Sequence, residues 1–144
     1  MTTLYLDSNA FVKLFTDENP EEAAQVEVAL GRTSDLASSA ITHAEVCGVF
    51  ARQLQQGRMS EEAYWETRQA FEQNWEQVNI VEVSAPVSKI AADVLKAHKG
   101  LQAMDALHLA SALALRQSTE IKFLTFDVRL QDAAGKLMPE ATYP

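Results

Sequence analysis

Four acidic residues, Asp7, Glu45, Asp105 and Asp127, each interrupt an otherwise apolar segment. The segments are Leu4-Tyr5-Leu6-Asp7, Ile41-Thr42-His43-Ala44-Glu45-Val46, Met104-Asp105-Ala106-Leu107-His108-Leu109-Ala110 and Phe123-Leu124-Thr125-Phe126-Asp127. Asp and Glu are almost never fully buried unless paired, and too few basic residues lie near these four to pair them. Two carboxylates 4 Å apart repel by about 4 kcal/mol at an effective dielectric of 20. A fold that gathers four of them therefore calls for a divalent cation. Oxygen-only ligands suit magnesium, or manganese, rather than zinc. Such an ion, held by carboxylates and waters, suits phosphoryl chemistry by activating water and shielding the leaving oxygen. The alternative for each acid taken singly is a helix cap or a solvated loop residue.

The elements that must position these acids follow from pattern. Thr3 to Leu6 reads as a strand ending at Asp7, and Ala10 to Phe15 as a helix with Phe11, Leu14 and Phe15 on one face. Asn19-Pro20-Glu21-Glu22 is a helix start, with Asn19 as N-cap and the helix stopping near Gly31. Leu36 to Ser39 is a weak second strand. Thr42 to Gln56 is a helix with Val46, Val49, Phe50 and Leu54 buried and Gly57 past its end. Ser60 opens another, carrying Tyr64, Trp65, Phe71 and Trp75, read as core or dimer contacts. Val78 to Val83 is a third strand, Pro86 to Ala97 a helix closed by Gly100, and Ala103 to Leu115 the most apolar helix. Ile121 to Phe126 is the fourth strand, Val128 to Ala134 a short helix, and Pro139 to Pro144 a tail. Strands alternating with helices predict an α/β fold with a parallel sheet covered on both faces. In such sheets, sites lie beyond the carboxyl ends of the strands, the edge where this order puts all four acids.

At 144 residues the chain is expected to be one domain, residues 1–144. Hydrophobic residues make up 47%, which argues against disorder, and no apolar run is long enough for a membrane span. No signal peptide is recognised, and with Cys47 as the only cysteine there is no intramolecular disulfide; the cytoplasm is the expected compartment. The net charge of −8 argues against strong non-specific binding to nucleic acid. It leaves room for a nuclease, because metal ions supply positive charge at the phosphate.

The same motifs carry a resemblance. The chain resembles a PIN-domain ribonuclease, most closely a VapC-type toxin of a type II toxin–antitoxin pair. Tyr5-Leu6-Asp7-Ser8-Asn9-Ala10-Phe11-Val12-Lys13-Leu14-Phe15 matches the first acidic motif of that family, and Thr42-His43-Ala44-Glu45 is similar to its threonine-x-x-glutamate motif. The segments around Asp105 and Asp127 resemble the third and fourth. The resemblance implies a three-layer α/β/α sandwich around a parallel sheet of four to five strands. It also implies metal-dependent endoribonuclease activity by metal-activated water, leaving 5′-phosphate and 3′-hydroxyl ends. Asp7, Asp105 and Asp127 would hold the principal ion, and Glu45 would act through a water or a second ion. The implied partners are the RNA substrate, a second copy in a homodimer, and a small antitoxin that covers the site, expected to use a basic segment. The rival reading is a catalytically silent, metal-binding interaction module with the same fold.

Around this set, Asn9 and Ser8 are candidates to orient Asp7, and Thr125 to point to the side of Asp127. His108, one turn after Asp105, is read as hydrogen-bonded and structural. His43 and His98 are read as surface. Lys13 is weighed as a phosphate or partner contact against a solvated helix face. Cys47 is read as a small core residue with no basic group near to lower its pKa.

Overall fold

The computed structural model describes residues 2–144. Four parallel strands, β1 (Thr2–Leu6), β2 (Asp35–Ser39), β3 (Asn79–Val81) and β4 (Glu120–Leu124), form one sheet in the order β3-β2-β1-β4. Seven helices connect and cover them: α1 (Ser8–Val12), α2 (Pro20–Gly31), α3 (Ile41–Gln55), α4 (Glu61–Trp75), α5 (Ala85–Ala97), α6 (Ala103–Arg116) and α7 (Val128–Leu137).

Side chains alternate across a strand, so each strand feeds both layers. Tyr5, Ala37 and Phe123 are in register on one face, under α5, α6 and α7. Tyr5 stacks on Phe123 with ring centroids 5.4 Å apart. Leu4, Leu6 and Leu124 face the other way, into a cluster with Phe11, Val26, Val46, Phe50 and Phe71 from α1 to α4. The result is the expected α/β/α sandwich. The tail adds a rudimentary fifth position: Phe123 N–H donates to Ala141 O (2.8 Å), and Tyr143 N–H to Phe123 O (3.0 Å).

Several expected boundaries move, each for a local reason. Asp7 starts α1 two residues early, at Ser8, by capping the Ala10 N–H, and i→i+3 bonds then carry the chain on to Phe15. The fourth strand stops at Leu124, because the Thr125 hydroxyl accepts from the Asp127 N–H and turns the chain out of the ladder. The third strand shrinks to three residues at the sheet edge, and Ser84 then caps α5. The last helix runs on through Gly135 to Leu137, since Ala133, Ala134 and Met138 keep packing inward. Gly57 (φ 75°) and Gly100 (φ 90°) do end helical runs, in backbone conformations that L residues avoid. No helix among the described residues is long and apolar enough to cross a membrane.

Candidate active site

Successive strands β1, β2 and β3 step one way across the sheet, and β4 returns to the other side of β1. The strand order therefore reverses between β1 and β4, and ligands bind beyond the carboxyl ends at such a point. Asp7 follows β1 directly, and Asp127 lies three residues past β4. Thr125 joins them. Its hydroxyl donates to Asp7 Oδ2 (2.6 Å) and accepts from the Asp127 N–H (3.1 Å). Asp7 Oδ1 accepts from the Ala10 N–H at 2.8 Å. Only 4% of Asp7 is exposed. Burial pushes its carboxyl above the usual range, and nearby Asp127 adds to this; His108, Thr125 and the Ala10 N–H work the other way.

Glu45 sits on the second turn of α3, whose start is tied to the strand ends by a buried polar pair. Ser38 Oγ donates to Leu6 O (2.6 Å) and shares a hydrogen bond with Thr42 Oγ1 (2.6 Å). Glu45 Oε1 accepts from the Ser8 hydroxyl and from His108 Nε2, the latter at 2.9 Å. Burial works against the charged carboxylate, but His108 and Ser8 outweigh it and hold its pKa below the usual value.

Asp105 and Asp127 are helix-terminal. Asp105 Oδ2 accepts from the Gln102 N–H (3.1 Å) as part of a capping box. Asp127 Oδ1 caps α7 through the Arg129 and Leu130 N–H groups (2.9 and 3.2 Å). Asp7 likewise caps α1, so three of the four acids are bound to their own helix starts.

The four acids share the carboxyl-end side of the sheet, but no three Asp, Glu, His or Cys side chains among the described residues lie close enough together to ligate one ion. The expectation of a tight four-acid cluster is corrected to this looser arrangement, because capping turns three carboxylates toward separate helices. The donor set still fits magnesium or manganese. Asp105, Asp127 and Glu45 each keep one carboxylate oxygen with no hydrogen bond among the described residues. Magnesium takes one or two carboxylates and fills the remaining positions with waters and phosphate oxygens.

The supporting residues differ in part from expectation. Thr125 contacts Asp7 as well as the turn at Asp127. Ser8 serves Glu45, thirty-seven positions away, rather than its neighbour Asp7. Asn9 is exposed, and its side chain makes no hydrogen bond to the acids among the described residues. His43 is not a free surface group: Nε2 pairs with Glu72 at 2.6 Å, and its ring packs on Phe71 and Trp75. Lys13 is neither solvated nor free, being paired with Glu22 at 3.0 Å. Cys47 does have a basic neighbour in Arg68, yet burial still raises its thiol pKa. Tyr5 was not singled out by sequence. A buried phenol needs a hydrogen-bond partner, and Tyr5 in the strand before Asp7 was the available signal.

The buried Asp7 carboxylate thus lies at the reversal point, braced by Thr125 just past β4. The chain belongs to the PIN-domain family, which matches residues 4–136. Over 116 residues it is 34% identical to Ribonuclease VapC45 of Mycobacterium tuberculosis (strain CDC 1551 / Oshkosh), covering 80% of this chain and 78% of that protein. Its fold is similar to that of FitAcB from Neisseria gonorrhoeae, with a TM-score of 0.70 at 20% identity over 98% of this chain and 96% of that one. It is also similar to a chain of a toxin–antitoxin complex from Klebsiella pneumoniae, with a TM-score of 0.67 at 18% identity over 98% and 96%.

Proposed function

We propose that this protein is a metal-dependent endoribonuclease and the toxin of a toxin–antitoxin pair. The observation that carries the reading is the Asp7–Thr125–Asp127 bridge at the reversal point, in a chain 34% identical to a named ribonuclease. Of the three acids expected at the principal ion, Asp7, Asp105 and Asp127, one or two would ligate magnesium or manganese directly, with waters and phosphate oxygens completing its shell. When bound, the ion supplies Lewis-acid activation of water and charge neutralisation at the phosphodiester. Thr125 fixes one oxygen of Asp7, and burial keeps that carboxylate in one orientation. Glu45, with its pKa lowered, stays ionised at neutral pH and is placed to orient the attacking water. No side-chain nucleophile is required. The protein acts as a homodimer. Its inhibitor is a small protein that brings a basic side chain to the acidic edge, arginine being best suited because its planar fork bonds two carboxylate oxygens at once.

The observation favouring a silent interaction module is that three of the acids serve as helix caps. Cleavage of an RNA panel in magnesium, compared with EDTA, separates the two readings. The nuclease requires cleavage only with magnesium or manganese, and a loss of roughly a hundredfold or more in Asp7→Asn and Asp105→Asn. Cleavage by both variants in metal-free buffer at the wild-type rate would sink it.

A further inference from the structure

A buried polar chain runs beneath Glu45 and is not accounted for by the acids themselves. Tyr5 is fully buried in β1, and its hydroxyl lies 3.0 Å from His108 Nδ1. His108, on the innermost face of α6 and 3% exposed, presents its other nitrogen to Glu45 Oε1 (2.9 Å) and Ser8 Oγ (3.1 Å). An ionised carboxylate only accepts hydrogen bonds, so His108 Nε2 must carry a proton to hold Glu45. A ring with one proton then leaves Nδ1 as an acceptor, and the Tyr5 O–H is the donor that reaches it. The sequence supports this chain twice. Tyr5 stands where its strand neighbours Leu4 and Leu6 are apolar, and His108 stands among Ala106, Leu109 and Ala110.

We propose that Tyr5 and His108 are positioning residues for Glu45. The Tyr5 hydroxyl selects the His108 tautomer protonated on Nε2. That N–H, with the Ser8 hydroxyl, clamps Oε1 and leaves Oε2 without a partner among the described residues, available to the attacking water. A ring nitrogen fixed by the hydrogen bond on its opposite side is a general device for orienting imidazole. The functional part of the inference rests on the nuclease reading; the tautomer and the clamp do not.

The test uses the full-length protein with histidine labelled by nitrogen-15, in mildly alkaline buffer. Wild type is expected to show His108 protonated on Nε2 and not on Nδ1. In Tyr5→Phe, which keeps the ring stacked on Phe123, the Nδ1-protonated form appears. With RNA and magnesium, Tyr5→Phe lowers kcat roughly tenfold or more with KM unchanged, the size seen for partners behind a site ligand. His108→Gln, whose amide places a donor near Nε2, retains more kcat than His108→Leu. A purely structural pair would lower the melting temperature and leave kcat alone. The inference is overturned if wild-type His108 carries its proton on Nδ1. It is equally overturned if Tyr5→Phe keeps both the wild-type tautomer and the wild-type kcat, or if His108→Gln and His108→Leu are equally active. Wild type that cleaves no RNA in magnesium removes the nuclease reading, and the nitrogen-15 comparison of wild type and Tyr5→Phe then judges the clamp by itself.

Discussion

Asp7 is where burial and hydrogen bonding oppose each other most directly. Desolvation raises its carboxyl pKa, so the folded state binds that proton more tightly than the unfolded chain does. Stability from this group is fully present below the unfolded value of about 3.9 and is lost as pH rises through the higher folded value. Asn accepts the Ala10 N–H as well as Asp does, because the two are equivalent N-caps. Asp7→Asn is therefore expected to raise the melting temperature in EDTA at pH 7, with the gain shrinking as pH falls into the carboxylate range. Glu45 runs the opposite way, its lowered pKa giving stability that is lost in acid, but it is common to both proteins and cancels in the comparison. A lower melting temperature for Asp7→Asn at pH 7 would mean that the Thr125 bond outweighs the buried charge. All four acids were legible in the sequence because each breaks an apolar run. The Ser8–Glu45 contact was not, since nothing local in the sequence joins residues thirty-seven positions apart.

Helix α4 shows what periodicity does and does not settle. Tyr64, Trp65, Phe71 and Trp75 read as one packing series, yet only Phe71 is fully buried. Tyr64, Phe71 and Trp75 fall on one stripe by helical spacing, whereas Trp65 lies about 100° round from Tyr64. Trp65 is accordingly 56% exposed, with the Arg68 guanidinium 5.9 Å from its ring. Phe71 meets Phe11, Phe15, Phe50 and Trp75 edge-on or tilted, at centroid distances of 5.5 to 6.0 Å. Phe71→Ala should cost about 3–5 kcal/mol in denaturant unfolding. Trp65→Ala should stay within about 0.5 kcal/mol in the monomer. Equal losses would mean that the α1–α4 layer does not depend on this one ring. Strand order was beyond the sequence for a related reason. Alternating strands and helices imply parallel pairing, but that β4 returns beside β1 depends on which faces meet in three dimensions. That return is what brings Thr125 to Asp7.

For the whole molecule, charge sets how RNA can be held. The chain carries −8, and five of its twelve Lys and Arg side chains are paired with acids: Lys13, Arg58, Arg68, Arg116 and Lys136. Arg129, next to the Asp127 turn, donates to Gly100 O at 3.4 Å. The other seven, Arg129 included, stand against twenty acidic side chains in the chain as a whole. Each phosphate neutralised on a single strand contributes a slope of about −0.7 to the logarithm of affinity against that of salt. A lone protomer meeting RNA through one or two basic contacts should therefore show a slope no steeper than roughly −1.4. The measurement is fluorescence anisotropy of a single-stranded oligonucleotide with the Asp7→Asn variant at a fixed magnesium concentration. A shallow slope places the binding energy in the ion and in contacts to the bases. A slope several times steeper would require more phosphate contacts than that, and light scattering at the same concentrations would show whether a second copy supplies them.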